Sequence, residues 1–147
     1  MSTDAAGFSE AERAAMRQRA EELQANKGVK GAAKKAKELQ ACLAAIDALE
    51  GLDQLIAQRL HVIAAEEASG LDPKTWYGFP SYARDGKVVV FYQPAAKFGT
   101  RYGNVGFSED AHLDDGAMWA TSFAVVEWTT QVEQRLRQLV RTAAGGR

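Results

Sequence analysis

The chain has 147 residues, a length typical of one domain that can bury a hydrophobic core without a metal or disulfide bonds. Charged residues make up 25% and hydrophobic residues 46%, as in most globular proteins. The net charge of −1 argues against a nucleic-acid-binding protein, because such proteins usually carry a clear basic excess. The single Cys42 forms no internal disulfide, which favours the cytoplasm. No signal-peptide pattern and no long apolar run occurs, so we expect no membrane partner.

Helical patterns occupy the first seventy residues. Ser9 and Glu12 form a capping-box signature, which predicts a helix over residues 10–25. Residues 26–37 contain two glycines and five lysines, which predict a solvated linker or a frayed helix start. Apolar residues at helical spacing then predict a second helix: Leu39, Leu43, Ile46 and Leu49. Gly51 fits the position just after this helix, and Asp53 is expected to cap a third helix that ends near residue 69.

Strand patterns follow Pro73. Asp85-Gly86 separates predicted strands over residues 76–84 and 87–93, and this dipeptide favours a type I′ hairpin turn. A third strand is predicted over residues 101–107, a short acidic helix over 109–114 and a last strand over 118–123. Thr130 and Glu133 form a second capping-box signature, which predicts a closing helix.

This order of elements predicts an α+β fold. We expect an antiparallel sheet of about four strands, with helices packed on one face of the sheet. Residues 1–50 are predicted to form an N-terminal helical extension, and residues 51–147 the α+β domain. The extension is expected to pack on the domain as one compact unit.

The residue pattern does not favour an enzyme. Cys42 lies in a predicted amphipathic helix, where a thiol usually behaves as a small hydrophobic group. Ser81 and Ser108 have no evident histidine partner, because His61 falls within a helix and His112 within the acidic segment. The sequence therefore does not predict a catalytic triad.

The acidic segment after Ser108 is a candidate metal site. Its carboxylates and imidazole are the ligand types that bind iron or manganese: Glu109, Asp110, His112, Asp114 and Asp115. The same pattern also fits acids in a first helical turn followed by an Asp-Asp-Gly turn, in which case no metal is involved.

The aromatic segment 75–107 is a second candidate site. Aromatic residues and two cations could line a pocket for a small anionic ligand: Trp76, Tyr77, Phe91, Lys97, Phe98, Arg101 and Tyr102. The alternative is that these rings belong to the core and to cross-strand pairs.

Four motifs in this half of the chain carry a family resemblance: TWYGFPSY, GKVVVFYQPAAKF, RYGNVGF and LDDGAMW. With them the chain resembles the YdhG-like family of small, mostly bacterial domains, over roughly residues 53–143. The resemblance implies an α+β domain that has been likened to frataxin-type intracellular iron chaperones. It brings no catalytic or metal-ligand motif with it.

Three functions are consistent with these patterns. The first is an iron-chaperone-like metal carrier in the cytoplasm, which the family resemblance and the acidic segment favour. The second is a binding module for a small molecule or anion on the aromatic sheet face. The third is a protein-interaction or dimerisation domain, in which another chain covers an exposed sheet face.

Overall fold

Five antiparallel strands form one sheet in the computed structural model, which describes residues 7–145. The strands are β1 (Asp72–Trp76), β2 (Phe79–Arg84), β3 (Lys87–Gln93), β4 (Gly103–Phe107) and β5 (Ser122–Val125). They lie side by side in chain order, so every connection joins neighbouring strands. The helices are α1 (Glu10–Ala25), α2 (Gly31–Asp47), α3 (Gly51–Glu67), α4 (Ala95–Phe98) and α5 (Thr130–Ala143). The predicted α+β class with an antiparallel sheet is confirmed, with five strands instead of about four.

Two tight turns shape the first three strands. Asp85 and Gly86 have φ angles of 53° and 81°, which confirms the predicted type I′ hairpin. Tyr77 and Gly78 form a second turn of the same kind, with φ angles of 55° and 85°. The single strand predicted over residues 76–84 is therefore wrong at its start, because this turn divides β1 from β2.

A β-bulge shifts the register of the central hairpin away from simple two-residue-turn pairing. The pairing shifts between Tyr82 and Ala83, so that Tyr82 faces Val90 and Ser81 faces Phe91. The bulge adds one residue to one strand, which moves the partners on its far side by one position.

One face of the sheet carries the hydrophobic core. Tyr82, Val90, Tyr92 and Val105 are almost completely buried there. Side chains from three helices complete the same cluster, among them Cys42 and Ile46 of α2, Ile56, Leu60 and Ile63 of α3, and Leu136 and Val140 of α5. Each large apolar side chain of this kind stabilises the fold by about 1.5–3 kcal/mol. The predicted extension 1–50 and the predicted domain 51–147 thus share one core.

The helix boundaries differ from expectation at two places. α1 starts and ends as predicted, and the Ser9–Glu12 capping box is present. α2 begins at Gly31, so of the two alternatives for residues 26–37 a linker through residue 37 is wrong and a helix start within the segment is correct; its alanines and lysines are good helix formers. Gly51 begins α3 instead of following α2. Within residues 7–145, no helix combines the length and apolar character needed to cross a lipid bilayer.

Candidate ligand-binding site

Aromatic rings cluster on the sheet face opposite the core. Trp76 and Phe79 pair across β1 and β2, and their ring centroids lie 5.9 Å apart at 83°. Phe91 of β3 lies 5.4 Å from Trp76 and 5.5 Å from Phe79. Tyr77 lies 5.1 Å from Trp76, and Phe98 of α4 lies 6.0 Å from Phe79. We call these five rings the aromatic cluster.

The sheet register explains why the rings meet. Side chains of paired residues in antiparallel strands point to the same face, so Trp76 and Phe79 share one face. Phe91 pairs with Gly106 on its other side, and a Cβ atom at Gly106 would overlap the Phe91 ring. The absence of a side chain at Gly106 therefore lets the Phe91 ring lie across the backbone of β4.

A cavity of about 420 Å³ lies between the aromatic cluster and the N-terminal half of α1. Besides the five rings, its lining consists of Phe8, Glu12, Ala15, Met16 and Gln93. Phe8 and Met16 are 41% and 37% exposed, so the cavity opens to solvent beside α1. Most of its wall is apolar, and the volume falls within the range of about 300–1,000 Å³ usual for small-ligand sites.

α1 is held in place by the β1–β2 turn. The Glu22 carboxylate accepts hydrogen bonds from the backbone N–H of Tyr77 at 3.2 Å and of Gly78 at 2.8 Å. Successive backbone N–H groups in a turn form a concave site for an anionic group. A Cβ atom at Gly78 would overlap the Gln18 side chain of α1, so glycine at this position permits the close approach of the helix.

Lys97 does not line the aromatic cavity. Its ammonium group donates a hydrogen bond to the Gln18 side chain, and partial burial lowers the pKa of Lys97, an effect that the nearby Glu22 opposes. Lys97 instead lines a larger groove of about 750 Å³ between α1, α2 and α4.

The larger groove is a weaker candidate for a ligand site, although it has the greater volume. Alanines of α2 form its floor, and several of its charged groups already have partners within the protein. Lys37 donates to the Ala25 carbonyl at 2.5 Å, and Glu38 lies 3.8 Å from the Lys74 ammonium group. A ligand there would compete with these existing interactions.

Asp53 has a role that the sequence did not predict. Its carboxylate is buried and accepts hydrogen bonds from the Tyr92 hydroxyl at 2.5 Å and from the N–H groups of Ala95 and Ala96 at 2.9 and 3.0 Å. The predicted capping of its own helix α3 is wrong, because Asp53 caps α4 instead. Burial is the main cause that raises the pKa of Tyr92, and the hydrogen bond to Asp53 raises it further. This interaction ties α4, and with it Phe98, to α3.

Arg101 and Tyr102 lie outside the aromatic cavity. The Arg101 guanidinium lies 4.9 Å from the centre of the Tyr102 ring, and Arg101 is exposed. Of the seven residues predicted to bind a ligand, the structure brings together Trp76, Tyr77, Phe91 and Phe98. It does not bring Lys97, Arg101 and Tyr102 to the same cavity. Phe79 and the α1 side chains were not among the predicted site residues.

The acidic segment does not form a metal-binding group. Glu109, His112, Asp114 and Asp115 are exposed, and the helix predicted over residues 109–114 is absent. A turn takes its place, in which the Ser108 hydroxyl accepts a hydrogen bond from the Asp110 N–H at 3.2 Å. Among residues 7–145, no three histidine, cysteine or acidic side chains lie together as metal ligands would. The iron site stays a prediction that this geometry does not support.

Cys42 lies in the core, as expected for a small apolar side chain. Its thiol lies 4.0 Å from the Tyr82 hydroxyl, which in turn lies 3.0 Å from Nδ1 of His61. Burial raises the pKa of Cys42 to about 11, so the thiol stays protonated at neutral pH. A protonated, buried thiol is a poor nucleophile.

Comparison with known proteins adds nothing to this geometry. No family model, no curated protein and no solved structure matches the chain. The resemblance to the YdhG-like family therefore rests on the sequence motifs alone, and the protein-interaction or dimerisation function stays a prediction.

Proposed function

We propose that the protein binds a small, largely apolar molecule in the aromatic cavity. The observation that carries this proposal is the convergence of five aromatic rings on an open space: Phe79 is buried at its base, the other four rings are half-buried, and none of the five belongs to the hydrophobic core cluster. Rings that line a concave surface offer large contact areas at a low cost in conformational entropy.

The structure of the walls supports the same function. Three of the rings stand on paired strands, and the strands are anchored by the core on their other face. The wall opposite these strands is α1, which Glu22 attaches to the turn between β1 and β2. A site built on rigid elements is already formed before the ligand arrives, which reduces the entropy lost on binding.

The proposed ligand differs from the anion predicted from the sequence. Lys97 and Arg101 were the expected anion-binding groups, and neither lines the cavity. The lining residues with polar side-chain groups are Glu12, Gln93, Tyr77 and Trp76, and none of these groups is a cation. We therefore propose a ligand without a negative charge.

A titration with the neutral fluorescent probe N-phenylnaphthylamine tests the proposal. We expect saturable binding with one site per chain. Trp76→Leu should weaken binding at least tenfold, because it removes the ring that touches three others. Trp119→Leu is the matched control, since Trp119 is 38% exposed and lies outside the cavity.

A second variant keeps the test informative if Trp76→Leu fails to fold. Ala15 is buried at the α1 wall, and Ala15→Phe would fill part of the cavity without removing any ring. We expect this variant to fold and to lose probe binding. Absence of saturable binding to the wild-type chain, or equal affinities for all variants, would refute the proposed function.

A further inference from the structure

The aromatic cavity has one charged side chain in its wall. Among the lining residues, all within the described range 7–145, Glu12 alone carries a formal charge. Its carboxylate oxygen Oε1 accepts a hydrogen bond from the Ser9 backbone N–H at 2.9 Å. The capping box therefore fixes the position of this negative charge at the cavity.

Trp76 meets its neighbours in the aromatic cluster at steep angles, whereas Tyr77 and Phe79 lie at 28° and Phe79 and Phe91 at 35°. Trp76 makes interplanar angles of 68° with Tyr77, 83° with Phe79 and 66° with Phe91. Since five rings at differing angles line the same cavity, we expect more than one of them to present a face to that space. Each ring face carries the negative part of the ring quadrupole, which attracts a cation lying within about 6 Å of the ring centre.

The two cations that the sequence predicted at this site, Lys97 and Arg101, are directed elsewhere. The Lys97 ammonium group donates to Gln18, and the Arg101 guanidinium lies over Tyr102. Neither residue lines the cavity, so neither supplies a positive charge to its wall. The electrostatic character of the cavity is thus set by ring faces and one carboxylate, all of which favour a positive ligand.

From this geometry we infer that the cavity binds a small quaternary ammonium compound. The methyl groups of such a cation pack against the ring faces, and its charge, spread over those methyl groups, interacts with the ring quadrupoles and with Glu12. A primary ammonium group fits less well, because it is strongly hydrated and needs hydrogen-bond acceptors that the rings do not provide. This inference rests on the proposed function and specifies its ligand class.

Choline and 3,3-dimethylbutan-1-ol (dimethylbutanol below), in which a carbon atom replaces the charged nitrogen, have nearly the same shape. A difference between their affinities therefore measures the effect of the positive charge. We expect isothermal titration to show that choline binds the full chain at least tenfold more tightly than dimethylbutanol, a difference of about 1.4 kcal/mol. Glu12→Gln should weaken choline binding several-fold and leave dimethylbutanol binding unchanged. Glutamine still completes a capping box, so this variant keeps the start of α1 intact.

Glu10→Gln is the matched control. Glu10 lies in the same first turn of α1 but not in the cavity wall, so choline binding should not change. If dimethylbutanol binds as tightly as choline, or if Glu12→Gln has no effect, the cationic ligand is refuted and the proposed apolar site remains. If choline, dimethylbutanol and the neutral probe all fail to bind, the inference and the proposed function both fall.

Discussion

The Glu22 carboxylate accepts a 2.8 Å hydrogen bond from the backbone N–H of Gly78, 56 positions further along the chain. Glu22 also accepts from the neighbouring Tyr77 N–H. These two contacts attach α1 to the sheet at the turn that presents Tyr77 to the aromatic cluster. The position of one wall of the cavity therefore depends on one partly buried carboxylate.

Glu22→Gln should loosen α1 without unfolding the sheet. A charged acceptor is replaced by a neutral one, and hydrogen bonds to charged groups contribute about 1.5–3 kcal/mol each. We expect faster hydrogen exchange in α1 and unchanged exchange in β2 and β3, measured by mass spectrometry. Glu21→Gln is the matched control on the neighbouring position. Equal protection of α1 in both variants would contradict the role of Glu22.

Asp53→Asn should lower the free energy of unfolding by about 1–3 kcal/mol, because an amide nitrogen would face donors that now have a carboxylate partner. Urea denaturation measures this change. Tyr92→Phe removes one of the three donors to Asp53 and should cost less. The double variant should be less destabilised than the sum of the two, since both residues belong to one network. Strict additivity would show that the two side chains act independently.

Gly86→Val should destabilise the protein by about 1 kcal/mol or more, because a β-branched residue is strained at positive φ. No heavy atom lies within 4 Å of a Cβ built at Gly86, so the cost comes from the backbone alone. Gly70→Val is the control, since Gly70 has the same open space and no positive φ. Equal unfolding midpoints for the two variants in urea would contradict the strained turn.

The α3–α5 contact should weaken in acid. Hydrogen bonds from Arg59, with a smaller contribution from Arg137, lower the pKa of Glu133 to about 2, and partial burial opposes this shift. Because the pKa of Glu133 in the folded state lies below the unfolded value near 4.5, ionised Glu133 stabilises the protein above about pH 4.5. This stabilisation is lost as the pH falls toward 2. The Arg59–Glu133 pair is partly exposed, so we expect it to contribute about 1 kcal/mol at most to the free energy of unfolding.

Thermal unfolding of wild type and Glu133→Gln measures this effect. The difference in melting temperature should be greatest above about pH 5 and should shrink as the pH approaches 2. Glu127→Gln, at an exposed position, should show no such trend. A constant difference across this range would exclude Glu133 as the titrating group.

Local signals in the sequence were sufficient for several elements. The Ser9–Glu12 capping box located the start of α1, and Asp85-Gly86 located the central hairpin turn. In both cases the deciding interactions lie within a few residues of one another. Such patterns are visible in the chain order itself.

Other features depend on contacts between distant residues. Tyr77 adopts a positive φ, which is uncommon for a bulky residue, and the bonds to Glu22 help to hold it there. The capping of α4 by Asp53 arises only because α3 lies next to the end of β3. The aromatic residues were recognisable from the sequence, but their separation from Arg101 follows from the loop that leads into β4.

The cavity walls differ in how they connect to the rest of the protein. Phe8, Ala15 and Met16 on the α1 side do not belong to the hydrophobic core cluster, whereas the opposite wall stands on strands that do. Substitutions on the α1 side can therefore change the shape and charge of the cavity while the core keeps its packing. This division makes the N-terminal helix the natural place to alter ligand preference in selection experiments.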